Sequence, residues 1–71
     1  MAKNPYYDYP ARIVEARRAR GLTREALAEM ADISSRHLGD IERGTANPSL
    51  DTMYRISKVL GVSLSILLGQ E

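Results

Sequence analysis

The chain has 71 residues, of which 44% are hydrophobic and 27% charged, a length and composition suited to one small globular domain. It has no cysteine and one histidine, which excludes disulfides and thiolate metal sites, so neither a metal nor another cofactor is expected. A net charge of +1 is low for a nucleic-acid binder, but seven arginines lie between residues 12 and 43. No apolar stretch is long enough to cross a bilayer and no signal peptide is visible, so we expect a cytoplasmic protein without a membrane partner.

The first ten residues are predicted to form an N-terminal arm, and residues 11–71 the folded domain. Residues 1–9 carry Pro5 and three tyrosines and show no helical periodicity. Pro10 suits the first turn of a helix, strong helix formers follow to Arg20, and Gly21 ends the helix. The tyrosines of the arm could cover the core, join a dimer contact or remain disordered.

Two short helices joined by a tight turn are predicted between Thr23 and Gly44. Thr23 is a good N-cap for a helix that continues to Ala31. Asp32 occupies the turn, where a positive φ is needed, and aspartate adopts it less easily than glycine or asparagine. Ser34 then caps the next helix, which Gly44 ends.

Two further helices complete the chain. Ser49 caps the fourth, and Ser63 caps a last short helix that extends to about Leu68. The apolar stripe of the fourth helix has the spacing of a single helix face and comprises Leu50, Met53, Ile56 and Leu60. No segment alternates with a period of two, so the predicted fold is all-α, with five helices and no sheet.

The third helix has two contrasting sides. At about 100° per residue, the inward side carries Leu38, Ile41 and Glu42. The opposite side carries Arg36, Gly39, Asp40 and Arg43. A helix that displays two arginines, an aspartate and a glycine is shaped to contact a charged partner, and DNA is the leading candidate.

Arg17 and Glu42 are charges that the pattern places on buried sides of their helices. Arg17 shares a side of the first helix with Ile13 and Ala16, and Glu42 lies beside Leu38. A lone buried charge is costly, so we expect the two to pair and clamp the first helix to the third. The alternative is that one or both reach water along their long stems.

Four short segments together resemble one family of DNA-binding proteins. They are Leu27-Ala28-Glu29, Ile41-Glu42-Arg43-Gly44, Asn47-Pro48-Ser49-Leu50 and Leu60-Gly61-Val62-Ser63. With their surroundings, residues 11–68 resemble the helix-turn-helix domain of Xre/Cro/C1-type phage repressors, controller proteins and antitoxin repressors. The resemblance implies a compact five-helix lambda-repressor-like domain with the helix-turn-helix at helices 2 and 3, and it also implies the Arg17–Glu42 ion pair.

The resemblance also implies roles on DNA for individual residues. The third helix would enter the major groove N-terminus first, with base contacts expected from Ser35, Arg36, Gly39 and Asp40. Arg36 could instead pair with Asp40 along the helix, and Asp40 is expected to orient Arg36 rather than read a base. Phosphate contacts are expected from Thr23, Arg24, His37, Arg43, Thr45 and Asn47.

The sequence departs from the family pattern at four of its positions. Asp32 stands where glycine is usual in the turn, and Arg24 stands where glutamine usually contacts a phosphate. Gly39 and Asp40 replace longer polar side chains, which leaves the sequence preference of the third helix open.

A homodimer is expected, because one small domain reads few base pairs and the family binds near-palindromic DNA as two-fold dimers. Val59 and Ile66 are expected to face outward near the C-terminus, away from the apolar stripes, and to form the dimer contact. The two recognition helices would then lie about 34–36 Å apart, one turn of DNA.

The predicted function is that of a sequence-specific double-stranded DNA-binding transcriptional regulator, most simply a repressor, in a bacterial or phage-type cytoplasm and on the nucleoid when bound. The alternative is a helix-turn-helix module, such as an antitoxin or co-regulator, whose main partner is another protein. An enzyme is not expected, because the chain has no cysteine nucleophile, no paired carboxylates in a cleft and no glycine-rich phosphate loop. Ser34, His37 and Asp40 are close in sequence, but Ser34 faces inward as a cap, so they form no triad.

Overall fold

The computed structural model describes residues 9–69, which form five α-helices and, within that range, no strand. The helices are α1 (Tyr9–Ala19), α2 (Arg24–Met30), α3 (Ser35–Arg43), α4 (Leu50–Leu60) and α5 (Leu64–Leu67). This confirms the predicted all-α fold and the order of its elements. No helix in the described range is long and apolar enough to cross a membrane.

Local capping rules account for most helix ends. Each of four helices begins after a side-chain hydroxyl that accepts the backbone N–H three residues later, at Thr23, Ser34, Ser49 and Ser63. Gly44 ends α3 in the left-handed region at φ 76°. Asp32, in the turn between α2 and α3, has φ 60°, as the turn prediction requires.

Helix α3 packs into the core between α1 and α2. The fully buried side chains of the core come from all five helices and are Ile13, Leu27, Leu38, Ile41, Ile56 and Leu67. Helix α3 packs against α1 and α2, α4 packs against α2 and α5, and α5 returns to α1. The outward face of α3 is therefore presented by a frame that is anchored in the core at both Leu38 and Ile41.

The first helix begins earlier than predicted. Tyr9 and Pro10, assigned above to the arm, are the first two residues of α1. The Tyr9 hydroxyl donates a hydrogen bond to the Ala46 carbonyl oxygen at 3.3 Å, which ties the start of α1 to the loop after α3. Residues 1–8 lie outside the described range, and with them the expectations for Tyr6 and Tyr7.

The predicted apolar stripe of α4 is wrong at its first residue. Leu50 is 67% exposed, whereas Thr52 and Ser57 are buried beside Met53. Thr52 takes the inward position at this end of α4, where its hydroxyl accepts a hydrogen bond from Ser49 Oγ at 3.0 Å. A polar residue paired in this way can replace leucine in the interior, which hydropathy alone does not reveal.

Candidate nucleic-acid interface

Glu42 is a buried anion on the inner side of α3, and it pairs with arginines from other helices. Its side chain is 3% exposed, and its Oε2 lies 2.8 Å from Nε of Arg17, whose side chain is 11% exposed. A second contact joins Arg17 Nη2 to Glu42 Oε1 at 3.4 Å, and Arg17 Nη1 donates to the Leu22 carbonyl oxygen at 2.9 Å. The two residues expected to pair therefore join α1 to α3 and also hold the loop that precedes α2.

Arg24 is a second partner of Glu42 that the sequence analysis did not anticipate. Arg24 Nε lies 3.2 Å from Glu42 Oε1, while 41% of the Arg24 side chain remains exposed. The first residue of α2 thus reaches across to α3 and is held by the same carboxylate as Arg17. This contact uses Nε of the guanidinium, and neither Nη atom has a hydrogen-bond partner among residues 9–69.

Asp40 pairs with Arg43. The sequence had predicted a contact with Arg36 instead. The observed contact joins Arg43 Nη2 to Asp40 Oδ1, and both side chains are more than one-third exposed. Side chains on a helix lean toward its N-terminus, so Arg43 leans toward Asp40 whereas Arg36 leans away from it. An acid that precedes its basic partner is also the favoured order along a helix, and that signal was present in the sequence.

Gly39 is buried, which corrects the expectation that it lies open on the outward face of α3. A Cβ atom built on Gly39 would lie 3.2 Å from Arg43 Nη1 and 3.6 Å from Arg24 Nη1. Both guanidinium groups therefore cover the glycine. Arg43 reaches it because it follows Gly39 by four residues and leans back over that position.

The start of α3 carries the remaining predicted base-contacting residues in an exposed position. Ser35 and Arg36 are exposed, and Arg36 makes no hydrogen bond or ion pair with any of residues 9–69. His37 is half-buried, with its backbone N–H donated to the Ser34 hydroxyl at 3.0 Å. Arg36 is therefore the long cationic side chain that extends freely from the first turn of α3.

The residues predicted to contact phosphates flank this surface. Thr23 is exposed and caps α2, where its hydroxyl accepts the N–H of Ala26 at 3.0 Å. Thr45 is exposed, and its hydroxyl donates to the Asp40 carbonyl oxygen at 3.2 Å. Asn47 is exposed in the loop between α3 and α4. The structure thus places all three at the surface, on the segments that lead into α2 and out of α3.

Arg55 of α4 holds the turn between α2 and α3, a role that the sequence analysis missed. Its Nη1 donates to the carbonyl oxygens of Ala31 and Asp32, at 3.2 and 3.1 Å. These oxygens belong to the end of α2 and to the residue with the positive φ. An arginine one helix away therefore stabilises the angle between α2 and α3, and no local pattern in the sequence could indicate this.

The two residues expected to form a dimer contact differ in exposure. Ile66 is 43% exposed and lies on a groove of 260 Å³ between α1 and α5, with Ala16, Ala19 and Val62 among its walls. Val59 does not face outward as predicted, because it is half-buried and packs against the core. Helix α5 follows Gly61 and packs against α4.

Comparison with known proteins gives one consistent family. A helix-turn-helix family model matches residues 13–67. The immunity repressor protein of Bacillus phage phi105 is 43% identical over 60 residues, which make up 84% of this chain and 42% of that protein. The chain spans about half the length of the curated relatives that it matches.

Solved structures show the same fold. The restriction-modification controller protein C.AhdI from Aeromonas hydrophila is similar with a TM-score of 0.82 and 29% identity, over 87% of this chain and 94% of that one. The biofilm master regulator SinR, solved in complex with DNA, is similar with a TM-score of 0.81 and 36% identity, over 84% of this chain and 97% of that one.

Proposed function

The chain belongs to the helix-turn-helix family, and from that premise we propose that it is a sequence-specific regulator of transcription that binds double-stranded DNA. The observation that carries the proposal is the outer side of α2 and α3, where Arg24, Arg36 and Arg43 keep guanidinium donors that no described residue uses. Such donors suit phosphate oxygens and the edges of bases. The DNA in the SinR structure supports the same kind of partner.

Base reading is assigned to the first turn of α3. Ser35 and Arg36 are exposed there, and a helix that enters the major groove by its N-terminus brings this turn to the base edges. Arg36 can donate two hydrogen bonds to O6 and N7 of a guanine, which is worth about 1–3 kcal/mol of discrimination. Asp40 is engaged with Arg43, so its role is to hold that arginine.

Backbone binding is assigned to the residues around the two helices. Contacts of this kind set the register of the protein on DNA and carry little sequence information. The proposed set comprises Thr23, Arg24, His37, Arg43, Thr45 and Asn47. Since the immunity repressor of phage phi105 is among the relatives, we propose repression as the output.

Binding as a homodimer to a near-palindromic site is part of the proposal. Ile66 is the exposed apolar residue beside the groove between α1 and α5, and a second copy would cover both. Ile66→Asp should convert a dimer to a monomer in analytical ultracentrifugation, whereas Leu50→Asp, at an equally apolar exposed position on α4, should not. A wild-type monomer at all accessible concentrations would contradict this part.

The central experiment is selection of bound duplexes from a random pool at about 0.15 M salt, where nonspecific binding is weak. We expect an inverted repeat with half-site centres about 10 base pairs apart. Arg36→Ala should relax the preference at one position of each half-site, and Lys58→Ala, which removes a cation from exposed α4 surface, should leave it unchanged. Folded protein that enriches no sequence would overturn the proposal and favour a protein partner.

A further inference from the structure

Two arginines from different helices converge on a single glycine at the centre of α3. Arg24 comes from the start of α2 and Arg43 from the end of α3. The Nη1 atoms of both lie within 3.6 Å of the point where a Gly39 side chain would begin. Like charges repel, so two guanidinium groups this close depend on the carboxylates of Glu42 and Asp40, which pair with one arginine each.

Each guanidinium is held from one side and open on the other. Glu42 fixes Arg24 through Nε, and Asp40 fixes Arg43 through Nη2. The Nη1 atom of each arginine has no hydrogen-bond partner among residues 9–69. The carboxylates therefore orient the arginines, and the Nη1 donors left over lie close together above Gly39.

Glycine is the residue that leaves room for this arrangement. In the middle of a helix glycine is unfavourable relative to alanine, so its presence in α3 requires a reason. A longer side chain at position 39 would occupy the space into which both guanidinium groups fold. Glycine lets Arg43 lie back along α3 without displacement, whereas a methyl group would require its Nη1 to shift slightly and a longer side chain would displace it.

We propose that Gly39 is a positioning residue, and that the Arg24–Arg43 pair above it binds one DNA phosphate between the two guanidinium groups. The inference rests on the proposed function and assigns to Gly39 a part in phosphate binding in place of base reading. A guanine edge offers two acceptors in one plane, which a single arginine saturates. A phosphate offers a full negative charge and acceptor sites on several sides, so two arginines can bind it at once.

The salt dependence of binding distinguishes one shared phosphate from two separate ones. The probe is the duplex that wild-type protein enriches, with a scrambled duplex of equal length beside it. Loss of one phosphate contact lowers the slope of log K against log salt by about 0.9, and loss of two lowers it by about 1.8. We expect the slope to fall by about 0.9 in the Arg24→Gln/Arg43→Gln double variant. It should not change in Lys58→Gln.

The part played by Gly39 is tested by a double-mutant cycle. Gly39→Leu fills the space without adding a hydrogen-bonding group, and should weaken binding about tenfold for both duplexes. Gly39→Ala should weaken it less, because a methyl group meets only the flexible end of Arg43. In the Arg24→Gln/Arg43→Gln background, Gly39→Leu should have no further effect, since the guanidinium groups that it displaces are absent.

The outcomes separate this inference from the proposed function. Wild-type protein that binds no duplex overturns both. Binding by wild type together with a slope change near 1.8, or an undiminished effect of Gly39→Leu in the double-variant background, overturns only the shared phosphate and the positioning role. Circular dichroism of each variant establishes that the folded state is being compared.

Discussion

Glu42→Gln should strongly destabilise the domain, because the charge that it removes is buried against Arg17. The Glu42 carboxylate is 3% exposed and faces Arg17, whose side chain is 11% exposed. Glutamine keeps the shape of the side chain but replaces one acceptor oxygen with an NH₂ donor that faces guanidinium donors. Arg17 would then remain as a buried cation without a counter-charge.

The expected loss in free energy of unfolding follows from the burial of both Glu42 and Arg17. Removing one member of a buried ion pair costs about 3–5 kcal/mol, and we expect about 3 kcal/mol here because the amide oxygen still accepts one hydrogen bond. A domain of this length is stabilised by roughly 4–11 kcal/mol in total. The melting temperature should therefore fall by about 12–24 °C.

Urea unfolding followed by circular dichroism at 222 nm measures the effect. Glu29→Gln is the matched control, because Glu29 is an exposed glutamate of α2 with no ion pair among the described residues, and it should change the free energy of unfolding by less than about 0.5 kcal/mol. A loss below about 1 kcal/mol for Glu42→Gln would refute the reasoning, since it would mean that Arg17 reaches water when its partner is neutral.

Three further variants test single features of the frame, each by urea unfolding. Gly39→Ala should raise the free energy of unfolding by about 0.5–1 kcal/mol, because alanine is the better helix former and Arg43 can yield; a decrease would show that position 39 is sterically closed. Asp32→Val should lower it by about 1–2 kcal/mol and Asp32→Gly should not, since φ is 60° at this position; equal effects would exclude backbone strain as the cause. Arg55→Ala should lower it by about 1–2 kcal/mol through loss of two carbonyl contacts at a partly exposed site, while Lys58→Ala should have little effect.

The features that could be predicted from the sequence are those that depend on neighbours in the chain. The four hydroxyl N-caps and the positive φ of Asp32 follow from rules about a few consecutive residues. The Arg17–Glu42 pair was one of two outcomes that the positions of the two charges allowed, the other being exposure to water, and the family resemblance favoured the pair.

The features that could not be predicted depend on which helix covers which. Val59 has the spacing of an outward residue on α4, but it is half-buried and packs against the core. Arg55 has the pattern of a solvated cation, yet it reaches two carbonyl oxygens on the turn before α3. Periodicity assigns each residue to one side of its helix, but it does not show how much of that side a neighbouring helix covers.

The position of Glu42 joins the stability of the fold to the geometry of the interface. Oε2 accepts from Arg17 Nε on the interior side, and Oε1 accepts from Arg24 Nε at the surface as well as from Arg17 Nη2. Arg24 is 41% exposed, so its loss removes a surface contact worth at most about 1 kcal/mol, and Arg17 still compensates the carboxylate. Arg24→Gln should therefore weaken DNA binding in a well-folded protein, whereas Glu42→Gln should weaken both folding and binding. A carboxylate shared in this way orients Arg24 only in the folded state, because the carboxylate that pairs with buried Arg17 also holds Arg24.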